Sequence, residues 1–592
     1  MGRPKTNRMM RNEIAKADNI PTFVAQLVKR MNEGNAEVKE RCAMGLRNVG
    51  TQNHGEHAET LFKAGAVKPL VELLRTGTSD AQGDAAGALA AIASKAASPP
   101  APPEKHQIAI VNAGGVEPLV ALLRTGSAGV QQEAATALAA LESDVSHQAG
   151  IIKAGAIAPL VAILKNGSVV AQASAAKATA NAAGFSRDAQ KAIARFGSIP
   201  LLLKLLEQGK AQTPAARALG NLARGNREIQ MEINEAGGVA PLLGLLNILD
   251  VDAQVQAATA LAEMACDNAV VQAAIAKAGG IAPLLALLNS RVSAAQSQGM
   301  AALAQLARNN PTNQDAIAAQ KGIKPLVLFL ETSGHDAQVA SCAASALMEV
   351  TRNNTVNQQA VVDTGGVSNL ANLMKTTTHA RVRTEVAGAL WSLSADPQIK
   401  ITIAAANTVR PLVELLGSGD VRSCEHAAGA LASLGQDNTD NQESITQMLI
   451  ELLINGNADA QDRAVKALLT LVEENPKSQQ SIAKAGEAGA LVQLLKAGNP
   501  EAKDYALWSL SLSISAANQE IVQLSGGVQP LIDQLRDKRI LIKEQAAAAL
   551  AKLAHDNEET RSAITKAGGV RPLIGLLNAE EGSSSLELMR QN

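Results

Sequence analysis

The chain has 592 residues and is almost electrically neutral, with 54 Lys and Arg against 55 Asp and Glu. This balance excludes the broad basic surface that nucleic-acid binding requires. A 46% hydrophobic but only 1% aromatic composition also argues against stacking platforms for single strands. No apolar run approaches the length of about eighteen residues that a membrane-spanning helix needs. We therefore expect no nucleic-acid partner and no membrane span.

Residues 1–14 are predicted to be a basic N-terminal tail. The opening Met-Gly-Arg-Pro-Lys-Thr fits the permissive pattern for N-myristoylation, which makes Gly2 a lipidation candidate. One acyl chain binds membranes only marginally, so the basic residues beside it would have to act as a second signal. The alternative is an unmodified tail, and we expect a membrane partner only if Gly2 is acylated.

A Gly-Gly-x-x-Pro-Leu motif then recurs along the chain, and Gly237 and Gly279 show its spacing of about 42 residues. Glycine accepts the left-handed conformation that ends one helix, and proline is tolerated in the first turn of the next. An apolar segment and an Ala-rich segment with helical periodicity follow each proline. We therefore predict repeats of three helices, short, medium and long, that form an all-α solenoid of about 13 units over residues 15–578.

Three segments depart from this pattern. Around residues 94–105 a proline-rich insertion predicts a stiff surface loop, with a ligand for an SH3- or WW-type groove as the alternative. Around residues 436–450 the glycine turn and the proline are both missing, and Met448 stands where other repeats have proline. We expect altered stacking there. Residues 579–592 resemble the opening of a third helix and are predicted to be an incomplete last repeat or a C-terminal tail.

The sequence offers few candidates for catalysis. It contains no phosphate-binding loop, nucleophile elbow or dinucleotide fingerprint. His54 and His57 lie near a glutamate but have no third metal ligand nearby. The four cysteines are far apart, which is typical of buried thiols in a reducing compartment. We predict a protein that is not an enzyme and has no metal, no cofactor and no small-molecule substrate.

The recurring A-G-G-[VI]-x-P-L turn, followed by an A-x-A-L segment, resembles the armadillo repeat family across residues 15–578. The Gly- and Ala-rich repeats are most similar to the vacuolar-protein-8 and plant armadillo type, which acts as an adaptor. The resemblance implies a right-handed α-solenoid whose third helices line a concave groove that binds an extended peptide or a helix. The importin-α branch pairs Trp and Asn four residues apart in that groove, and no repeat here has both.

The positions equivalent to that Trp and Asn define a predicted partner-binding groove. Its central members are Lys177, Asn181, Arg217, Asn221, Glu263, Gln305 and Glu349. A basic pair beside acidic residues would suit a partner of mixed charge, and the amide side chains could hold its backbone. Gly388 and Gly429 would leave a shallow floor further along. The alternative is an inner face that is only solvated.

Two functions follow from these observations. The first is a non-catalytic protein-interaction scaffold or adaptor in the cytoplasm. The alternative is a targeting or transport receptor for nuclear cargo, for a vacuolar or other membrane surface, or for the substrates of a ubiquitin ligase. Such a receptor could also reside in the nucleus or lie peripherally on a membrane.

Overall fold

A computed structural model describes residues 19–52, 57–94, 104–141, 145–332, 336–418, 420–436, 438–473, 487–514 and 518–577. Within these ranges it contains 38 helices and no strand. The predicted all-α solenoid fold is confirmed. The chain divides into two compact units, Met1–Leu306 and Ala307–Asn592. Gly2, residues 95–103 of the proline-rich insertion and residues 579–592 lie outside the described ranges.

Unit 1 contains the first twenty helices, the last of which ends at the boundary between the units. They are α1 Ile20–Glu33, α2 Ala36–Thr51, α3 Ala58–Lys63, α4 Val67–Thr76, α5 Ser79–Ala93, α6 Glu104–Asn112, α7 Val116–Thr125, α8 Ala128–Ala140, α9 Val145–Lys153, α10 Ile157–Asn166, α11 Val169–Phe185, α12 Arg187–Arg195, α13 Ser198–Glu207, α14 Gln212–Ala223, α15 Arg227–Glu235, α16 Val239–Leu245, α17 Val251–Ala265, α18 Ala269–Lys277, α19 Ile281–Leu287 and α20 Ser293–Ala307.

Unit 2 contains the remaining eighteen helices. They are α21 Pro311–Ala319, α22 Ile323–Thr332, α23 Ala337–Thr351, α24 Thr355–Asp363, α25 Gly366–Thr376, α26 Ala380–Leu393, α27 Pro397–Ala405, α28 Val409–Ser418, α29 Val421–Gly435, α30 Thr439–Asn455, α31 Ala458–Glu473, α32 Glu487–Ala497, α33 Pro500–Ser513, α34 Gln519–Leu524, α35 Val528–Gln534, α36 Ile540–Ala554, α37 Glu558–Lys566 and α38 Val570–Leu577.

A sharp turn separates the first and second helices of a regular repeat. The bend is 77° between α6 and α7, 80° between α9 and α10, and 84° between α18 and α19. Gly114 ends α6 with a φ of +72°, a conformation that favours glycine. Pro118 lies in the first turn of α7, where a missing N–H leaves no intrahelical hydrogen bond unmade. The motif read from the sequence therefore forms this turn.

The third helices stack on one another and form much of the core in each unit. In unit 1, α8 packs between α5 and α11. Its buried face consists of small and branched apolar side chains, including Ala134, Ala135 and Leu138, each at most 1% exposed. Because alanine allows two helix backbones to approach closely, each repeat buries this face against its neighbours rather than within itself.

Among the described helices, none is by itself long and apolar enough to cross a bilayer. The three bent pairs of first and second helices named above do reach that length and composition when each pair is taken together.

Buried glutamines in the first helices bind the C-terminal carbonyls of the third helices. We call this set the carboxamide ladder; its members are Gln190, Gln230, Gln272, Gln314 and Gln358. Each donates from Nε2 to the end of the third helix of its own repeat, for example from Gln190 to the carbonyl oxygens of Asn221 at 2.9 Å and Arg224 at 3.1 Å. The corresponding acceptors are Glu263 and Cys266 for Gln230, Gln305 for Gln272, Glu349 and Arg352 for Gln314, and Ser392 for Gln358. The last carbonyls of a helix have no partner within that helix, so the ladder satisfies groups that stacking buries.

Asparagines at the helix N-termini extend the ladder. Asn268 Oδ1 accepts from the backbone N–H of Val271 and caps α18, while its Nδ2 donates to Gln230 Oε1 at 3.0 Å. Asn226 bonds Gln190 in the same way in unit 1, and Asn354 bonds Gln314 in unit 2. One asparagine thus starts its own helix and fixes the glutamine of the repeat before it.

Cations at the ends of second helices stabilise the next turn. Arg75 Nη2 donates to the carbonyl of Gly114 at 2.7 Å, and Arg124 Nη2 donates to that of Gly155 at 2.9 Å. In unit 2, Lys375 Nζ bonds the carbonyl of Ala406 at 3.0 Å. A positive charge is favourable there because the helix C-terminus carries partial negative charge.

The irregular repeat at residues 436–450 contains one helix where two were expected. α30 runs without a break through Thr446, Gln447 and Met448, because neither glycine nor proline interrupts its backbone hydrogen bonds. The preceding second helix has Gly417 where α4, α7 and α25 have the cations described above, and a Cβ added there would lie 2.8 Å from Leu452 Cδ1. α30 packs directly on α28.

Two adjacent glutamines on α24, one in the ladder and one outside it, allow the ladder to be tested by substitution. Replacing Gln358 with alanine removes its hydrogen bonds to the carbonyls of Thr351 and Ser392, both at 3.0 Å, and leaves those carbonyls buried. We expect the free energy of unfolding, measured in urea, to fall by about 2 kcal/mol, and backbone amide hydrogens in α26 to exchange faster. The control is Gln359→Ala, because Gln359 is exposed and bonds only Asp363. An equal effect of the two substitutions would contradict this role.

Candidate functional site

Six of the seven predicted groove residues lie on the third helices of unit 1. Lys177 and Asn181 belong to α11, Arg217 and Asn221 to α14, and one residue each to α17 and α20, namely Glu263 and Gln305. We call this surface the third-helix face. Glu349 belongs to α23 in unit 2 and is described separately.

Lys177 and Arg217 occupy matching positions on neighbouring helices. Each lies one helical turn before an asparagine, and Asn221 Nδ2 donates to the carbonyl of Ala180 at 2.8 Å, which fixes the register of α14 against α11. Both cationic side chains are partly exposed. The axes of neighbouring packed helices lie about 10 Å apart, and the two cations occupy matching positions on two such helices.

Each of the two asparagines uses an amide donor within the chain. Asn181 Nδ2 bonds the carbonyl of Ala139 at 3.1 Å, and Asn221 Nδ2 bonds that of Ala180. Asn181 is only 8% exposed. In the structure these bonds tie each third helix to the one before it.

The acidic part of the third-helix face is compensated within the chain. Glu263 Oε1 accepts from Arg224 Nε at 2.7 Å. The backbone carbonyl of Gln305 accepts from the ladder residue Gln272, and its side-chain Oε1 is buried with no hydrogen-bond partner in the described part of the chain. These residues add no uncompensated negative charge to the face.

The expectation of an accessible acidic side chain is wrong for Glu349. Its side chain is 2% exposed, and its carboxylate lies 3.2 Å from Arg308 Nε and 3.0 Å from Arg352 Nε. Two guanidinium groups around one buried carboxylate satisfy its oxygens and offset its desolvation. Glu349 therefore joins α23 to Arg308, which precedes α21 in unit 2, rather than meeting a basic partner.

A second buried ion cluster was not foreseen from the sequence. Arg47 on α2 lies 3.1 Å from Asp84 on α5 and also contacts Glu133 on α8, so that it bridges three successive third helices. It passes over Gly87, where a Cβ would lie 2.7 Å from Arg47 Nε. Burial raises the pKa of the Glu133 carboxyl, against the opposing attraction of Arg47. The sequence signal for this cluster is a glycine in the third helix of one repeat, with charged residues in the third helices of the repeats before and after it.

The expectation of a shallow groove floor at Gly388 and Gly429 is wrong, because neighbouring side chains occupy the space beside both glycines. A Cβ on Gly388 would lie 2.5 Å from Met348 Sδ and 2.7 Å from His426 Nδ1, and one on Gly429 would lie 2.5 Å from Trp391 Cε2. Trp391 is 39% exposed, and its ring centroid lies 6.2 Å from that of His426. The two glycines therefore accommodate large side chains from the neighbouring helix.

No group of three or more His, Cys, Asp or Glu residues that could hold a metal ion occurs among the residues that the structure describes.

Comparison with known proteins identifies the repeat. The model of the Armadillo/beta-catenin-like repeat matches residues 56–94, 103–140, 354–395 and 396–435. No curated protein sequence matches the chain.

Several solved structures are similar. The crystal structure of one engineered protein is 35% identical, covers 69% of this chain and 99% of its own, and has a TM-score of 0.56. A second engineered protein is 39% identical over 41% of this chain and 96% of its own, with a TM-score of 0.37. A designed armadillo repeat protein in complex with the peptide (KR)4 is 28% identical over 41% of this chain and 99% of its own, with a TM-score of 0.35.

The close contact at Gly429 can be tested by adding one methyl group. We expect Gly429→Ala to displace the Trp391 ring, shift its fluorescence emission and destabilise unit 2 by about 1–3 kcal/mol. The emission is measured in a Trp508→Phe background, which leaves Trp391 as the only tryptophan. The control is Gly244→Ala on α16, where the added Cβ meets nothing within 4 Å. Unchanged emission in the Gly429 variant would refute the contact.

Proposed function

Because the chain belongs to the armadillo repeat family, we propose that it is a non-catalytic protein-interaction scaffold. Armadillo repeat proteins are generally non-catalytic, and their fold generally mediates protein–protein interaction. In this chain the proposed binding surface is the third-helix face of unit 1. A scaffold and a targeting receptor would both bind their partners through such a face.

The matched positions of Lys177 and Arg217 support an acidic partner segment. Both cations are partly exposed, whereas the carboxylate of Glu263 accepts from Arg224 Nε at 2.7 Å. A spacing of about 10 Å between adjacent helices corresponds to about three residues of a polyproline II segment, which rises about 3.1 Å per residue and has three residues per turn. Side chains three residues apart then lie on the same face, so the proposed ligand is a segment in this extended conformation with acidic side chains three residues apart, rather than one of mixed charge.

Reversal of both cations tests this proposal. We expect a labelled peptide with Glu at every third position to bind the wild-type chain, and Lys177→Glu/Arg217→Glu to weaken binding roughly tenfold or more, because two attractions become repulsions. Fluorescence anisotropy at two salt concentrations measures the affinity. Raising the salt should weaken wild-type binding, since partly exposed charges are screened.

The matched control is Lys204→Glu/Lys210→Glu. Both lysines are exposed on or just after α13, and the net charge changes by the same amount. This variant should bind the peptide as the wild type does. If both double variants bind with wild-type affinity, or if both lose affinity equally, the third-helix face is not the binding surface.

A further inference from the structure

A cavity of about 550 Å³ lies in unit 2 beside the uninterrupted helix α30. We call it the α30 cavity. It is lined in part by Lys375, Arg383, Val409, Arg410, Glu414 and Met448. Its volume falls in the range of small-molecule sites, about 300–1,000 Å³. The cavity does not involve the third-helix face of unit 1, so the inference below is independent of the proposed function.

The cavity is found at the irregular repeat. Elsewhere the first and second helices are bent against each other by 77° to 84° at the measured turns. α30 continues straight through the corresponding position, and Met448, which stands where other repeats have proline, lines the cavity. The opposite side is formed by the turn between α27 and α28 and by the end of α25.

Positive charge predominates in the lining, with three cations and one carboxylate. Lys375 Nζ bonds a neutral carbonyl, that of Ala406. Arg383 Nη2 lies 3.0 Å from the carbonyl of Pro411 and 3.4 Å from the carboxylate of Glu414. Arg410 is 66% exposed and meets Glu451 only at 3.6 Å. An anion that entered the cavity would therefore meet three cations. Lys375 bonds a neutral carbonyl, and Arg383 and Arg410 lie 3.4 Å and 3.6 Å from their carboxylate partners.

A buried donor on Arg383 is a second, independent observation. Its Nε–H is buried and has no hydrogen-bond partner among the described residues. A buried donor without a partner is unfavourable, and more so when it is charged, as here. A guanidinium also matches the oxygen geometry of phosphate in a way that an ammonium does not.

We propose that the α30 cavity binds a phosphomonoester attached to an apolar body. A phosphomonoester carries about −1.5 to −2 charges at neutral pH, close to the excess of two positive charges in the lining. The cations belong to three different elements, α25, α26 and α28, so together they can contact several phosphate oxygens. Val409 and Met448 supply the apolar contact, and the volume exceeds what inorganic phosphate alone would fill.

Calorimetric titration of the full chain tests the site with three probes. Phenyl phosphate carries both parts of the proposed ligand, whereas inorganic phosphate and phenol carry one part each. We expect phenyl phosphate to bind at least fivefold more tightly than either. A peptide with phosphotyrosine distinguishes the source: tighter binding than phenyl phosphate indicates a phosphorylated partner, and equal binding indicates a small phosphomonoester.

Two variants locate the binding. Arg410→Ala should lower the affinity for phenyl phosphate at least fivefold, and Met448→Trp should lower it by filling the cavity while the helical circular dichroism stays unchanged. The control is Arg536→Ala, because Arg536 is 63% exposed and lies 3.7 Å from a carboxylate, much as Arg410 does. Absence of binding, equal affinity of the wild type and Arg410→Ala, or an equal loss in Arg536→Ala would overturn the proposal.

Discussion

The stacking of these repeats depends on hydrogen bonding of the buried C-terminal carbonyls of the third helices. A helix leaves its last carbonyls without intrahelical partners, and in a stack they are covered by the next repeat. The carboxamide ladder supplies the missing donors from the first helix of the same repeat, as Gln230 does for Glu263 and Cys266. Apolar burial brings the helices together, the ladder fixes the first helix of a repeat against the third, and asparagines such as Asn268 link it to the next repeat.

The same constraint governs where charge is available for function. Charged side chains that reach across repeats are largely used to hold neighbouring helices, as Arg47 and Glu349 show. Functional surfaces are therefore expected where charges remain accessible after stacking. The matched positions of Lys177 and Arg217 in unit 1 and the cations around the α30 cavity in unit 2 both meet that condition.

The regular parts of the fold could be predicted from sequence because their causes are local. Gly114 and Pro118 determine a turn through their own backbone preferences, and the absence of both around Met448 marked the irregular repeat. The Glu349 carboxylate is buried because Arg308 and Arg352 pair with it, and that pairing follows only from the folded geometry. The ladder left a readable signal, Asn-x-x-x-Gln, as at Asn268 and Gln272, but the carbonyl that Gln272 binds belongs to Gln305, 33 residues further along the chain.

Side-chain amide exchange measures the ladder most directly. Glutamine side chains labelled with ¹⁵N would be assigned by substitution and followed by NMR after transfer to D₂O. The account predicts slow exchange for the Nε2 protons of Gln190, Gln230, Gln272, Gln314 and Gln358, and exchange at the solvent-exposed rate for Gln359. If the five ladder glutamines exchanged as fast as Gln359, the repeats would not be held together in the way described.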